Sequence, residues 1–158
     1  MTNRNLIKAT GSILVHQNVE NTFAFFADPS NDSLWRTEIN DSVPDGPLQT
    51  GTTISEYSYL SKKAANNLLQ LKCIRFDKNK AAIFETPGEA RFYLKSQRTV
   101  KAISENTTEI TYQLEFDKSI VKFAIGFNLP DFIVSYKAKS DMKKYLRQLK
   151  LHLGSARL

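Results

Sequence analysis

A single arginine inside an otherwise apolar row is the most chemically loaded feature of this 158-residue chain. In the stretch RFYLKSQRTVKA, alternate residues Tyr93, Lys95, Gln97, Thr99 and Lys101 form a solvated row. Phe92, Leu94, Ser96, Arg98, Val100 and Ala102 form the opposite, core-facing row. A buried guanidinium must find a carboxylate, backbone carbonyls or water in a cavity. Three arrangements answer that need: a structural ion pair with Glu56 or Glu85, an anchor for a carboxylate-bearing ligand, or a bulge that turns Arg98 outward. Arg98, Tyr57 or Tyr112 could also polarise a ligand oxygen, with Glu56 or Glu85 as base.

Other chemistries lack their residues. The chain has two histidines, His16 and His152, at opposite ends of the sequence, so no metal site is expected. There is no G-x-S-x-G elbow, phosphate-binding glycine loop or dinucleotide turn. Cys73 shares a row with Leu69 and Leu71 and reads as a buried small hydrophobe. No catalytic residue and no cofactor is assigned from these patterns.

The elements that position Arg98 follow from periodicity. GSILVHQ reads as a first strand. Asn18 or Glu20 caps a helix ending before Pro29, and PSNDSLW supplies a second short helix leading to Trp35. A short strand, RTEINDSV, follows. TTISEYSYLS, NLLQLKCIRFD, KAAIFETPG, RFYLKSQRTVKAIS and TEITYQLEFD are further strands separated by short breaks, as an antiparallel meander requires. The stretch SIVKFAIGFNLP, unusually apolar for a connection, reads either as a strand extension packed on the core or as a flap hinged at Gly126. A long terminal helix carries Val134, Ala138, Met142, Leu146, Leu149 and Leu153 on one stripe. The class is α+β, with helices segregated from an antiparallel sheet, in one domain over residues 1–158.

The terminal helix is graded in size: its C-terminal half is leucine-rich, while Ser135 and Ala138 are small. The space opposite them is either filled or lined by Tyr57, Tyr59, Phe84, Phe92, Tyr112 and Phe116. Trp35 and Phe127 stand as candidate wall and flap residues of the same pocket.

Composition narrows the partners. With 41% hydrophobic and 24% charged residues the chain is ordinary globular material, and no run is long enough to span a membrane. The formal charge of +6 is concentrated in the helical stretch YKAKSDMKKYLRQLK, which reads as a solvated face. No nucleic-acid partner is expected. A homodimer stays open. One cysteine and no apolar leader point to the cytoplasm.

The opening, ILVHQNVENTFAFFADPSNDSLW, resembles the N-terminal signature of the START-like (SRPBCC) superfamily, in its polyketide cyclase/dehydrase and lipid-transport branch. Val15, Val19, Phe23, Asp28, Pro29 and Trp35 carry the match. LQTGTT and the closing YLRQLKLHL are similar to later family elements. The resemblance implies a helix-grip fold of the birch-pollen-allergen type: a curved sheet of about six or seven strands, two short helices after the first, and a long C-terminal helix. It also implies a cavity for a hydrophobic small molecule, apolar or amphipathic and with an anionic group as an option. A cyclase-like enzyme without metal and a chaperone-cofactor-like interaction module are the alternatives.

Overall fold

The computed structural model describes residues 4–155. Its seven strands are β1 (Leu6–Val15), β2 (Ile39–Pro44), β3 (Thr53–Ser58), β4 (Asn67–Asp77), β5 (Ala81–Glu85), β6 (Leu94–Ser104) and β7 (Thr107–Asp117). They form one antiparallel sheet in the order β1-β7-β6-β5-β4-β3-β2. The meander from β2 to β7 is sequential, as the short breaks demand, and β1 joins at the β7 edge.

Three α-helices accompany the sheet: α1 (Val19–Phe26), α2 (Ser119–Ile125) and α3 (Asp131–Ser155). The Asn18 side chain caps α1 by accepting from the Asn21 amide at 2.7 Å. Asp28 then accepts from the Ser30 amide at 2.9 Å, and Pro29 opens a 3-10 helix over Pro29–Leu34. This is the expected curved antiparallel sheet with a long C-terminal helix, a helix-grip fold.

The expected α3 stripe is observed, with Val134, Met142, Leu146, Leu149 and Leu153 buried and Ala138 half-buried against the core. The helix crosses β1, where Ala9 and Gly11 keep the strand surface low. A Cβ placed on Gly11 would lie 2.6 Å from Leu146 Cδ1 and 3.1 Å from Met142 Cγ.

The segment before α3 differs from expectation. SIVKFAI is the helix α2 rather than a strand extension, and Gly126 closes it in the left-handed region at φ 90°. A seven-residue apolar run fits a strand and a short helix equally well, so periodicity could not decide.

Replacing Gly11 with Val should lower stability by about 1–3 kcal/mol, because the added methyls enter the α3 contact. Denaturant unfolding checks this; an unchanged midpoint would show that α3 does not rest on this strand.

Candidate functional site

Period-2 alternation fixes which side chains enter the concave face. In β6, Leu94, Ser96, Arg98 and Val100 are buried while Thr99 and Lys101 are exposed, so Arg98 faces inward as expected. The irregularity in β6 falls between Ala102 and Ser104, well away from it. Arg98 stands opposite Tyr112 of β7 and Ala82 of β5, with Ser96 opposite Phe84 and Leu114.

The partner of Arg98 is neither Glu56 nor Glu85 but Asp32. Arg98 Nη1 donates to Asp32 Oδ1 at 2.7 Å and Nη2 to Oδ2 at 2.6 Å, a two-pronged pairing. Nη1 also donates to the Phe26 carbonyl at 2.9 Å, and Nε donates to Ser96 Oγ at 3.1 Å. The guanidinium lies within 6.0 Å of the ring centres of Phe26, Trp35, Phe84 and Tyr112. Glu85, half-buried, instead accepts from the Tyr93 hydroxyl. Asp32 is delivered by the 3-10 helix that Pro29 starts. The sequence signal was there: an acidic residue in the turn beside Trp35, in a chain whose core row demanded a carboxylate.

A second arginine, which the sequence reading did not single out, completes the cluster. Arg36 follows Asp32 by four residues and donates to Asp32 Oδ2 at 3.2 Å, Glu56 Oε1 at 2.7 Å and Glu38 Oε2 at 3.2 Å. The Tyr145 hydroxyl of α3 donates to the same Glu38 oxygen at 2.9 Å. Two guanidiniums therefore face three carboxyl groups within the fold. Burial pushes the Glu56 carboxyl above its ordinary range, and Asp32 and Glu38 add to the rise, against the pull of Arg36. Burial also raises the Tyr112 and Tyr145 hydroxyls, the latter further because of Glu38. Burial opposes the charge on Arg36 and Arg98, but their carboxylate neighbours more than offset it, so both remain cations.

The remaining candidates divide by position. Trp35 is enclosed by Phe26, Tyr112 and Tyr145, with centroid distances of 5.8, 5.2 and 6.2 Å, so it is core rather than rim. Phe84 and Tyr112 are buried on the concave face, and Phe92 is buried against Phe123. Tyr57 alternates with the buried Ile54, Glu56 and Ser58 and therefore points away from the interior; Tyr59 beyond it is exposed. Strand β3 keeps Glu56 inside because Arg36 needs it there. Phe116, Ser135 and Ala138 are half-buried, and Phe127 is exposed.

Trp35 and Tyr145 thus occupy the space between Tyr112 and α3. A void of about 10 Å³, water-sized, remains beside Asp32, Glu56, Ser96 and Arg98. Among the described residues several buried polar atoms in and beside the charged cluster lack a hydrogen bond: Trp35 Nε1, Arg36 Nε, Glu38 Oε1 and the Tyr112 hydroxyl, although Ser96 is close enough to the last to lower its pKa. Such atoms call for bound water or a polar ligand group. Among the described residues no cluster of His, Cys, Asp or Glu is arranged to hold a metal ion.

Solved structures similar to this one share its fold. A START superfamily protein from Mycobacterium smegmatis superposes with a TM-score of 0.73 at 9% identity, covering 94% of this chain and 98% of that one. A conserved protein from Geobacillus kaustophilus gives 0.69 at 13% identity, covering 95% and 97%. The ZhuI aromatase/cyclase from Streptomyces sp. R1128 gives 0.60 at 7% identity, covering 93% and 88%. No family model matches the sequence, and no curated protein matches it. The fold is therefore START-like, with polyketide aromatase/cyclases among its structural neighbours.

Substituting Asp32 by Ala should cost about 3–5 kcal/mol, since it strands Arg98 without its paired carboxylate. Glu56→Gln should be far milder and should alter the pH dependence. A carboxyl with a raised folded pKa binds more protons folded than unfolded, so its stabilisation fades as pH climbs above the ordinary value of 4.5. Wild type should lose stability relative to the Gln variant over that range in unfolding titrations. Parallel curves, or an Asp32→Ala protein as stable as wild type, would contradict this account of the cluster.

Proposed function

We propose that the protein binds an apolar or amphipathic small molecule in a cleft between the concave sheet and the α2–α3 end of the helical layer. The observation that carries this reading is a set of half-buried apolar residues at that end, beside the buried Phe92, Leu94, Leu114 and Val134. Phe116, Phe123 and Ala138, also packed on the core, are only half-buried. Half-buried apolar side chains on both the sheet and the helical layer support entry of a ligand between them. The likeness to START superfamily and aromatase/cyclase structures supports it.

Ser96 links the two regions, since it follows Leu94 by two on the inner row and lines the water-sized void. A ligand with its apolar body along Leu94, Leu114 and Phe116 would aim its polar end at Ser96 and Glu56. Arg98 is held by Asp32, Phe26 and Ser96, so in this reading it shapes the floor and is not a free anchor for an anion.

A second reading, an enzyme of the cyclase type, is favoured by one observation: Glu56 is buried, raised in pKa and lines that void, as a proton-transferring carboxyl would. Absence of turnover of an aromatic polyketide-like substrate by wild type would dismiss it, and turnover undiminished in Glu56→Gln would remove Glu56 from the reaction.

The binding reading is tested with the neutral fluorophore N-phenyl-1-naphthylamine and the variant Ala138→Trp, which fills the cleft from α3. Wild type should bind the probe, and the variant, shown to be folded by its circular dichroism, should bind it at least about tenfold more weakly. No binding by wild type, or equal binding by both, would overturn the proposal.

A further inference from the structure

The corner joining α2 to α3 holds large apolar side chains out in solvent. Phe127 is 58% exposed, Phe132 74%, Ile133 40% and Tyr136 77%. Phe132 and Tyr136 are four residues apart and so stand together on successive turns of α3. Phe127 lies in the connection between α2 and α3, after Gly126 closes α2. Isolated exposed apolar residues are ordinary, but four within ten positions form a patch, and a patch marks an interaction.

The exposed face of α3 continues from this corner as a basic flank. Helix α3 carries Lys137, Lys139, Lys143, Lys144, Arg147 and Lys150 against two acids, Asp131 and Asp141. Those acids are engaged: Lys118 Nζ lies 2.6 Å from Asp131 and Lys137 Nζ 2.6 Å from Asp141. Among the described residues Lys139, Lys143, Lys144, Arg147 and Lys150 have no ion pair, so their field is uncompensated.

We propose that this corner and the adjoining flank of α3 dock peripherally on an anionic phospholipid surface. The aromatic rings and Ile133 enter the boundary between head groups and acyl chains, and the lysines meet lipid phosphates. Tyr136, an apolar ring with a polar hydroxyl, set beside lysines suits that boundary better than the hydrocarbon centre. A second copy of the chain fits the patch less well, because an isologous pairing would bring two basic flanks together. A nucleic acid would answer the charge but would leave Ile133 and the helix corner in water. The contact is superficial, since no helix among the described residues is long and apolar enough to cross a membrane.

The test is co-sedimentation of the intact protein with vesicles of phosphatidylcholine alone or mixed with phosphatidylglycerol. Binding should appear only with the mixed vesicles and weaken as salt rises. The double variant F132S/Y136S should lower the partition coefficient by about tenfold. Reversal of Lys139 or Lys143 to Glu should lower it by about fivefold or more each. Thermal melts of all three variants should match wild type, because the altered side chains lie at the surface. Absence of binding to mixed vesicles, binding insensitive to F132S/Y136S, or dimerisation abolished by those substitutions would each overturn the proposal. So would salt-sensitive binding to a single-stranded oligonucleotide in place of the vesicles.

Discussion

One carboxylate sets the terms for the interior. Asp32 sits between two guanidiniums in a region otherwise walled by aromatic rings, and nothing near it leaves room for bulk water. In such surroundings an unpaired charge is far more costly than the pair is stabilising. Each participant is therefore locked by the others. Asp32 fixes the 3-10 helix against β6, Arg36 carries the constraint to β3 through Glu56, and Glu38 passes it to α3 through Tyr145. The network binds four separate segments of the chain at one end of the sheet. It specifies geometry more than it adds net stability, since a well-packed apolar substitute would hold the same space without the desolvation cost.

That rigidity divides the concave face. On the Asp32 side Trp35 fills the gap between Tyr112 and Tyr145, and interior residues are fully enclosed. On the α2 side the helical layer presents the buried Val134 and the half-buried Ser135 and Ala138, smaller than the leucines further along α3. The change is one of side-chain volume along a single stripe, and it needs no change in backbone. It also shifts attention from Arg98 to the carboxyl beside it: with three acids facing two arginines, the polar floor offers a neutral ligand group more than it offers an anion.

The parts legible in the sequence are those governed by a repeating pattern. Alternation oriented β6 and β7 and placed Arg98 and Tyr112 inward; the three-four spacing of Val134 through Leu153 gave α3; Asn18 or Glu20, and Pro29, marked the helix starts. Single-residue decisions were not legible. Tyr57 and Glu56 compete for the inner face of β3, and hydrophobicity alone favours the tyrosine. The structure chooses Glu56 because Arg36, remote in sequence, supplies its counter-charge. Asp32 was hidden for the same reason, as a polar turn residue whose partner lies on a distant strand. Helix α2 was hidden by its brevity.

Helix α3 carries two incompatible tasks on opposite faces. Its inner face must be apolar to hold the sheet, while its outer face already bears Phe132 and Tyr136. A helix apolar on both sides would ordinarily favour self-association, yet here the surplus lysines run along that same outer face. Like charges repel identical copies before the aromatic corners can meet, and they attract a surface of opposite sign. The +6 charge of the chain is thus more than a solubility device. It selects which kind of surface can approach the exposed rings, and it makes that approach dependent on salt.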